Sequence, residues 1–217
     1  NTSTMSDTTA RAGERSVTGT LADLHRQARY GRWFRWHLVA ALAVFFASAF
    51  GGYAILGAFP IEDLQSLVPS ESPLPEFAFV PIMLNNLRAL LLMFLGSVTG
   101  GLLSLFGLFV NGALVGGVVG VVVKQTSWAV ILAALLPHGI IELTAFFMAA
   151  AIGLRVPHRI ARYRTGYDER PLTRVEGFEL VVLGALMVVM IVVAAWIEVN
   201  VTPEVVRMVG GEGALPQ

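Results

Sequence analysis

The residues best suited to chemistry in this chain are a histidine and a glutamate placed one helical turn apart in an apolar stretch. His138 and Glu142 are four residues apart and therefore share a helix face. Pro137 precedes the histidine and Gly139 follows it. The proline cannot donate a backbone hydrogen bond and crowds the carbonyl of Ala133. The pattern predicts a kinked or broken helix at Pro137 and Gly139, with an acid beside an imidazole.

An ionised glutamate in hydrocarbon costs at least about 2.5 kcal/mol, so Glu142 must be protonated, paired or in contact with water. The candidate partners are His138, Asn85, Asn86 and Asn111. A network of hydrogen bonds that holds the helices together is the favoured interpretation, because buried polar groups often do this in membranes. A proton or ion pathway is the second.

A metal-dependent enzyme is the least favoured interpretation of these residues. One histidine and one glutamate are too few ligands, and no His-Glu-x-x-His motif accompanies them. The chain has no cysteine, which excludes disulfides and thiol chemistry. We therefore predict no catalytic residue, no metal site and no cofactor.

Long uncharged stretches surround this motif and place it in a membrane. Thirty-five residues between Arg88 and Lys124 carry no charge. A helix crosses the hydrocarbon core with about 20 residues, so this stretch is long enough for two short spans. The chain is 55% hydrophobic and 14% charged, with a mean hydropathy of +0.70. The predicted fold is all-α, a polytopic helical membrane protein with one or more broken or re-entrant helices around Asn111 and Pro137.

The arginines predict the orientation of the spans. Six of them precede the first span and six lie between Arg155 and Arg174, whereas the stretch 57–87 has no basic residue. Basic segments stay in the cytoplasm, so we expect a cytoplasmic N-terminus, an external C-terminus and a cell-membrane location. The first span takes the chain out of the cytoplasm, an odd number of spans must bring it back before Arg155, and one more takes it out again. Five spans satisfy this requirement, near 37–57, 87–104, 107–123, 128–153 and 178–199. A rival with three crossings folds residues 111–150 into a re-entrant hairpin.

The predicted organisation has three parts. Residues 5–35 form a cytoplasmic basic region with an interfacial helix, residues 36–200 form a single transmembrane domain, and residues 201–217 form an external tail. The five prolines in the outer segment 57–86 predict a turn-rich cap rather than a helix. The dipeptide Asn111-Gly112 is expected at a turn or interruption between the second and third spans.

Small residues recur at four-residue spacing in the second and third spans. Stripes of this kind let helix backbones approach closely, which drives helix association in lipid. We expect them to pack within the chain, and a homo-oligomer or partner interface is the alternative. The glycines assigned to helix packing are Gly96, Gly100, Gly112, Gly116 and Gly120.

The motif residues together resemble the stage II sporulation protein M family of integral membrane proteins. The likeness extends over 85–153 and rests on Asn85-Asn86, Gly96, Gly100, Asn111-Gly112, Gly116, Pro137-His138-Gly139, Glu142 and Gly153. The resemblance implies a polytopic membrane protein. It also implies a role like that of the founding member, which is a membrane scaffold for two peptidoglycan-degrading partners and not a hydrolase. No catalytic or binding residues are carried over from the family.

These observations lead to two functional hypotheses. The first is a non-enzymatic membrane scaffold that organises partner proteins at the cell envelope. The second is a transporter or permease-like component with a polar site at His138 and Glu142. The expected partners are the lipid bilayer and membrane or envelope proteins, and no nucleic acid.

Overall fold

The computed structural model describes residues 23–28, 34–60 and 78–210, and the regular structure in these ranges is helical throughout. Five long helices are followed by one short helix: α1 Arg35–Ala58, α2 Phe79–Phe94, α3 Leu102–Val122, α4 Trp128–Arg164, α5 Arg174–Asn200 and α6 Thr202–Gly210. A single 3-10 turn, Leu95–Ser97, extends α2. Within the described residues, five helices are long and apolar enough to cross a membrane, which confirms the predicted class and the expected five spans.

Helix α4 lies at the centre of the bundle and contacts each of the other described helices. Its middle is built from small residues, and Ala145, Ala149, Ala150 and Gly153 are buried. Because these side chains occupy little space, neighbouring helices approach α4 from several sides. Large apolar residues face outward instead, as Val181 does with 72% of its surface exposed. Such a distribution suits a lipid environment.

The second span begins eight residues earlier than predicted. Helix α2 starts at Phe79, so the end of the predicted turn-rich cap is helical. Pro81 is the third residue of α2, where its missing N–H has no partner within the helix in any case. Asn85 and Asn86 therefore lie within α2 rather than before it. The segment 61–77, which contains the rest of the predicted cap, lies outside the described residues.

The turn between the second and third spans does not lie at Asn111. It lies at Gly100 and Gly101, whose φ angles of 67° and 92° are in the left-handed region that favours glycine. Asn111 is in the middle of α3. Residues 111–150 belong to two long helices joined at 123–127, which supports the five-span arrangement over the re-entrant hairpin.

The sequence predicted a kinked or broken helix at Pro137 and Gly139, and α4 is not broken there. It continues through Pro137 to Arg164. Passing through a proline loses one backbone hydrogen bond, whereas ending a helix leaves up to four N–H and four C=O groups without partners. Hydrocarbon offers no water to satisfy those groups, so the continuous helix costs less.

The two ends of the chain are described only in part. Residues 23–27 are helical, and the remainder of the predicted interfacial helix lies outside the described residues. At the other end, the predicted external tail begins with helix α6, which packs against α4. Thr202 and Val206 of α6 are buried, at 6% and 4% exposure. This part of the tail therefore belongs to the folded bundle.

Candidate functional site: a polar cluster between helices

Three ionisable side chains from two helices meet inside the bundle. His138 and Glu142 lie on α4, as the sequence predicted, and Glu198 comes from the end of α5. One imidazole nitrogen and one oxygen of each carboxylate lie within 4.8 Å of one another, and all three residues are partly buried. At this separation two ionised carboxylates repel strongly, so the cluster requires a proton or another cation.

Neutral side chains complete the cluster by hydrogen bonding. The Nδ2 amide of Asn86 donates to Oε2 of Glu142 over 2.9 Å. Asn85 is in turn 3.4 Å from Asn86. On the other side, Nδ1 of His138 lies 3.3 Å from the hydroxyl of Thr202. Helices α2, α4, α5 and α6 are thereby connected through one network.

Asn111 does not belong to this network in the structure. Its side-chain amide donates to the carbonyl of Gly107 over 2.8 Å, one turn earlier on the same helix. As a polar residue in an apolar span, Asn111 was a predicted partner of Glu142. Once α3 continues through Asn111, the amide has a local acceptor available.

Glu198 was not among the candidate partners of Glu142 predicted from the sequence. One signal could have identified it. Ile191, Ala194 and Ala195 form the buried stripe of α5. Glu198 follows them at helical spacing and therefore continues the same face. An acid in register with a buried stripe is expected to point into the bundle.

The cluster lies closer to one end of the membrane span than to the other. Glu142 is thirteen positions along α4 from Arg155, which starts the arginine-rich segment. This distance corresponds to about 20 Å along the axis, or about two thirds of a 30 Å core. The cluster therefore lies in the half of the bundle remote from the arginine-rich segment 155–174.

An apolar groove adjoins the cluster between α1, α3 and α4. It has a volume of about 480 Å³ and is lined mainly by aromatic and aliphatic side chains, with His138 and Glu142 among its few polar groups. Phe50 and Ile140 line the groove and are 74% and 63% exposed on the surface of the bundle. At membrane level such a groove opens toward lipid rather than toward water.

The glycine stripe of α3 packs against α1 within the chain. A Cβ atom at Gly120 would lie 2.6 Å from the carbonyl oxygen of Tyr53, and one at Gly112 would lie 2.5 Å from that of Phe45. At Gly116 it would overlap the backbone of Ala49. These three glycines therefore allow direct contact between the two backbones within one chain.

The two glycines assigned to the second span behave differently from each other. A Cβ at Gly96 would overlap Ser104, whose hydroxyl donates to the carbonyl of Met93 over 2.6 Å. Gly96 therefore serves close packing, as predicted. Gly100 has nothing within 4 Å of the Cβ position and adopts a positive φ. The assignment of Gly100 to packing was wrong, because its role is to form the turn.

An ion-pair network orders the loop between α4 and α5. Asp168 is 3.0 Å from Nη1 of Arg159 and 3.0 Å from Nε of Arg162. Arg159 also contacts Glu176 at 3.3 Å, and Glu176 forms a capping box with Thr173. The hydrogen bond from Arg162 holds the pKa of Asp168 below its ordinary value. The arginine-rich segment therefore has a defined conformation at one end of the bundle.

The described helices define a multi-pass helical membrane protein with a polar cluster between its helices. Residues 40–203 match the family model for stage II sporulation protein M. The chain belongs to this family, as the motif residues indicated. No solved structure matches the chain.

A similar protein occurs in an archaeon. A Methanocaldococcus jannaschii protein described as uncharacterized protein MJ0793 is 34% identical over 145 residues, which cover 66% of this chain and 79% of that protein.

Proposed function

We propose that the protein is a non-enzymatic membrane scaffold of the stage II sporulation protein M type, which organises partner proteins at the cell envelope. The observation that carries the proposal is the environment of Glu142. Its carboxylate accepts a hydrogen bond from Asn86, and the groove beside it is lined almost wholly by apolar side chains. A carrier needs a hydrated path that reaches its central site. In a scaffold, by contrast, we expect the buried acid to be held by hydrogen bonds in a dry interior.

The contact between α1 and α3 supports a rigid role. Backbone atoms of Ala49 and Tyr53 lie where Cβ atoms would stand at Gly116 and Gly120. Interlocked backbones resist sliding, since any shift along the axes brings larger side chains into the same space. A fixed pair of helices suits a platform for other proteins.

The ordered loop at the arginine-rich end provides a surface for such proteins. Tyr167 is 76% exposed, and Arg164 and Arg170 are also exposed. Aromatic and arginine side chains are enriched in protein interfaces. Because Asp168 and Glu176 already hold the loop, little conformational entropy would be lost on binding.

Photo-crosslinking in the native membrane tests this proposal. A photoreactive residue at Tyr167 should crosslink to a defined envelope protein, which affinity purification of the unmodified chain should also recover. The same probe at Val181, which is 72% exposed on the apolar surface of α5, is the matched control. Equal crosslinking from both positions, or none from Tyr167, would count against a docking role for this loop.

A transporter component is the second candidate, and the three ionisable groups near one another favour it. Intramembrane acids and histidines commonly mark ion or proton paths. Proteoliposomes that contain the purified protein would distinguish the two. We expect no cation flux above that of empty vesicles. Flux that Glu142→Gln abolishes would replace the scaffold with a carrier.

A further inference from the structure

The polar cluster has the composition of a metal site as well as that of a hydrogen-bond network. His138, Glu142 and Glu198 offer one nitrogen and two carboxylate oxygens, all within 4.8 Å of one another. Zinc binds histidine nitrogen and glutamate oxygen, and zinc sites with three protein ligands keep a further position for water, as in the set of two histidines and one glutamate. We propose that these three residues bind one divalent transition-metal ion, with zinc as the preferred species.

Charge balance is the first argument for a divalent ion. Two carboxylates carry two negative charges, and a neutral imidazole carries none. A dication would cancel the charge of Glu142 and Glu198 within the bundle. Buried charges are tolerated when they are paired or coordinate a metal. No Lys or Arg lies within α4 between Trp128 and Leu154, so this helix supplies no compensating cation of its own near the cluster.

The hydrogen bonds around the cluster orient the proposed ligands. The hydroxyl of Thr202 donates to the carbonyl of Ile197 over 3.3 Å, which leaves its oxygen free to accept from Nδ1 of His138. The proton on Nδ1 then leaves Nε2 with the lone pair that a metal requires. Asn86 similarly holds one oxygen of Glu142. Partners of this kind are typical of metal sites.

The donor set selects the kind of metal. Magnesium and calcium prefer sites made of oxygen ligands, whereas an imidazole nitrogen favours zinc and other transition metals. Ligands at 2.0–2.1 Å from a tetrahedral zinc ion lie about 3.3 Å from one another. Small rotations of the two glutamate side chains would close the cluster from its present spacing to that value.

Metal analysis of the intact protein tests the proposal without depending on the scaffold role. The chain would be purified without a histidine tag and without chelators, and its metal content measured by mass spectrometry. We expect about one equivalent of zinc per chain. After the zinc is stripped, titration with cobalt(II) should give the visible absorption bands of a four-coordinate ion.

Variants locate the ion. Glu198→Gln and His138→Gln should each weaken cobalt binding at least about tenfold, and Asn86→Ala should weaken it by about ten- to a hundredfold through the orientation of Glu142. Glu204→Gln, which alters an exposed acid on α6, should bind cobalt like the wild type. Unchanged affinity in both ligand variants would overturn the assignment, as would a wild-type protein that takes up neither metal.

X-ray absorption at the zinc edge of the wild-type protein keeps the proposal testable if the variants do not fold. The spectrum should show mixed nitrogen and oxygen coordination with the scattering pattern of one imidazole. Coordination by oxygen alone would exclude His138 and contradict the proposal.

Discussion

Adding one methyl group to α1 at Gly52 should loosen the bundle, whereas the same change one residue earlier should not. A Cβ atom at Gly52 would lie 2.9 Å from both Cα and the carbonyl carbon of Ala113 and closer still to the carbonyl oxygen. At Gly51 nothing lies within 4 Å of the Cβ position. Gly52→Ala and Gly51→Ala add the same methyl group to neighbouring positions of the same helix, and they differ only in the space available to it.

The expected cost follows from how far the helices must separate. Ordinary contacts begin at 3.4 Å, so α1 must move away from α3 by at least about 0.5 Å at this point. A gap of this size forfeits about a quarter to a half of the dispersion energy of each contact along the interface. Overpacking by a methyl group typically costs about 1–3 kcal/mol. The gain in helix propensity, which offsets up to about 1 kcal/mol, is the same in both variants.

Unfolding titrations in mixed detergent micelles would measure the difference. We expect Gly52→Ala to be less stable than Gly51→Ala by about 1–3 kcal/mol. Gly51→Ala should equal or slightly exceed the wild type. Equal stabilities of the two alanine variants would refute the close contact between α1 and α3, and with it the rigid platform.

Three further predictions concern the polar network, the arginine-rich loop and the orientation. Asn86→Leu should destabilise the protein by about 1–3 kcal/mol in the same titration, because Glu142 loses its donor, whereas Asn85→Leu at an exposed position should be close to neutral. Asp168→Asn should speed hydrogen exchange in the loop and Glu169→Gln should not. Folding lowers the pKa of Asp168 from its ordinary value of 3.8, so the stability that its ion pairs give to the loop is fully present above pH 3.8. That stability is lost as the pH falls through the lower pKa of the folded protein, and the wild-type loop should therefore also loosen in acid. In this cysteine-free chain, Glu169→Cys should react with an impermeant thiol reagent only after the cells are permeabilised, and labelling of intact cells would contradict the predicted orientation.

The errors in the predicted helix boundaries have a common cause. From the sequence, Pro81 was expected in a turn-rich cap, Asn111 at a turn or interruption, and Pro137 at a kink or break in a helix. In the structure all three lie within helices. A proline or asparagine weakens a helix locally, but in an apolar environment the loss of several backbone hydrogen bonds outweighs that effect. The turn lies instead at Gly100 and Gly101, where the left-handed conformation carries no steric penalty.

The polar site was identified only in part for a different reason. His138 and Glu142 lie on one helix at four-residue spacing, so their proximity follows from helix geometry alone. The hydrogen bond from Asn86 and the approach of Glu198 join residues more than fifty positions apart in the chain. No local pattern encodes such contacts, although the register of Glu198 with the buried stripe of α5 hinted at its direction.

Uncharged length and helical periodicity act within one segment, so they were enough to predict the membrane class, to favour five spans and to place His138 beside Glu142. The contact of the α3 glycines with α1, and the presence of Glu198 and Asn86 in the polar cluster, became visible only in the packed helices. Lipid provides no hydrophobic force that selects one helix neighbour over another. The choice depends on how the surfaces of separate helices fit together, and that fit exists only when all of them are packed.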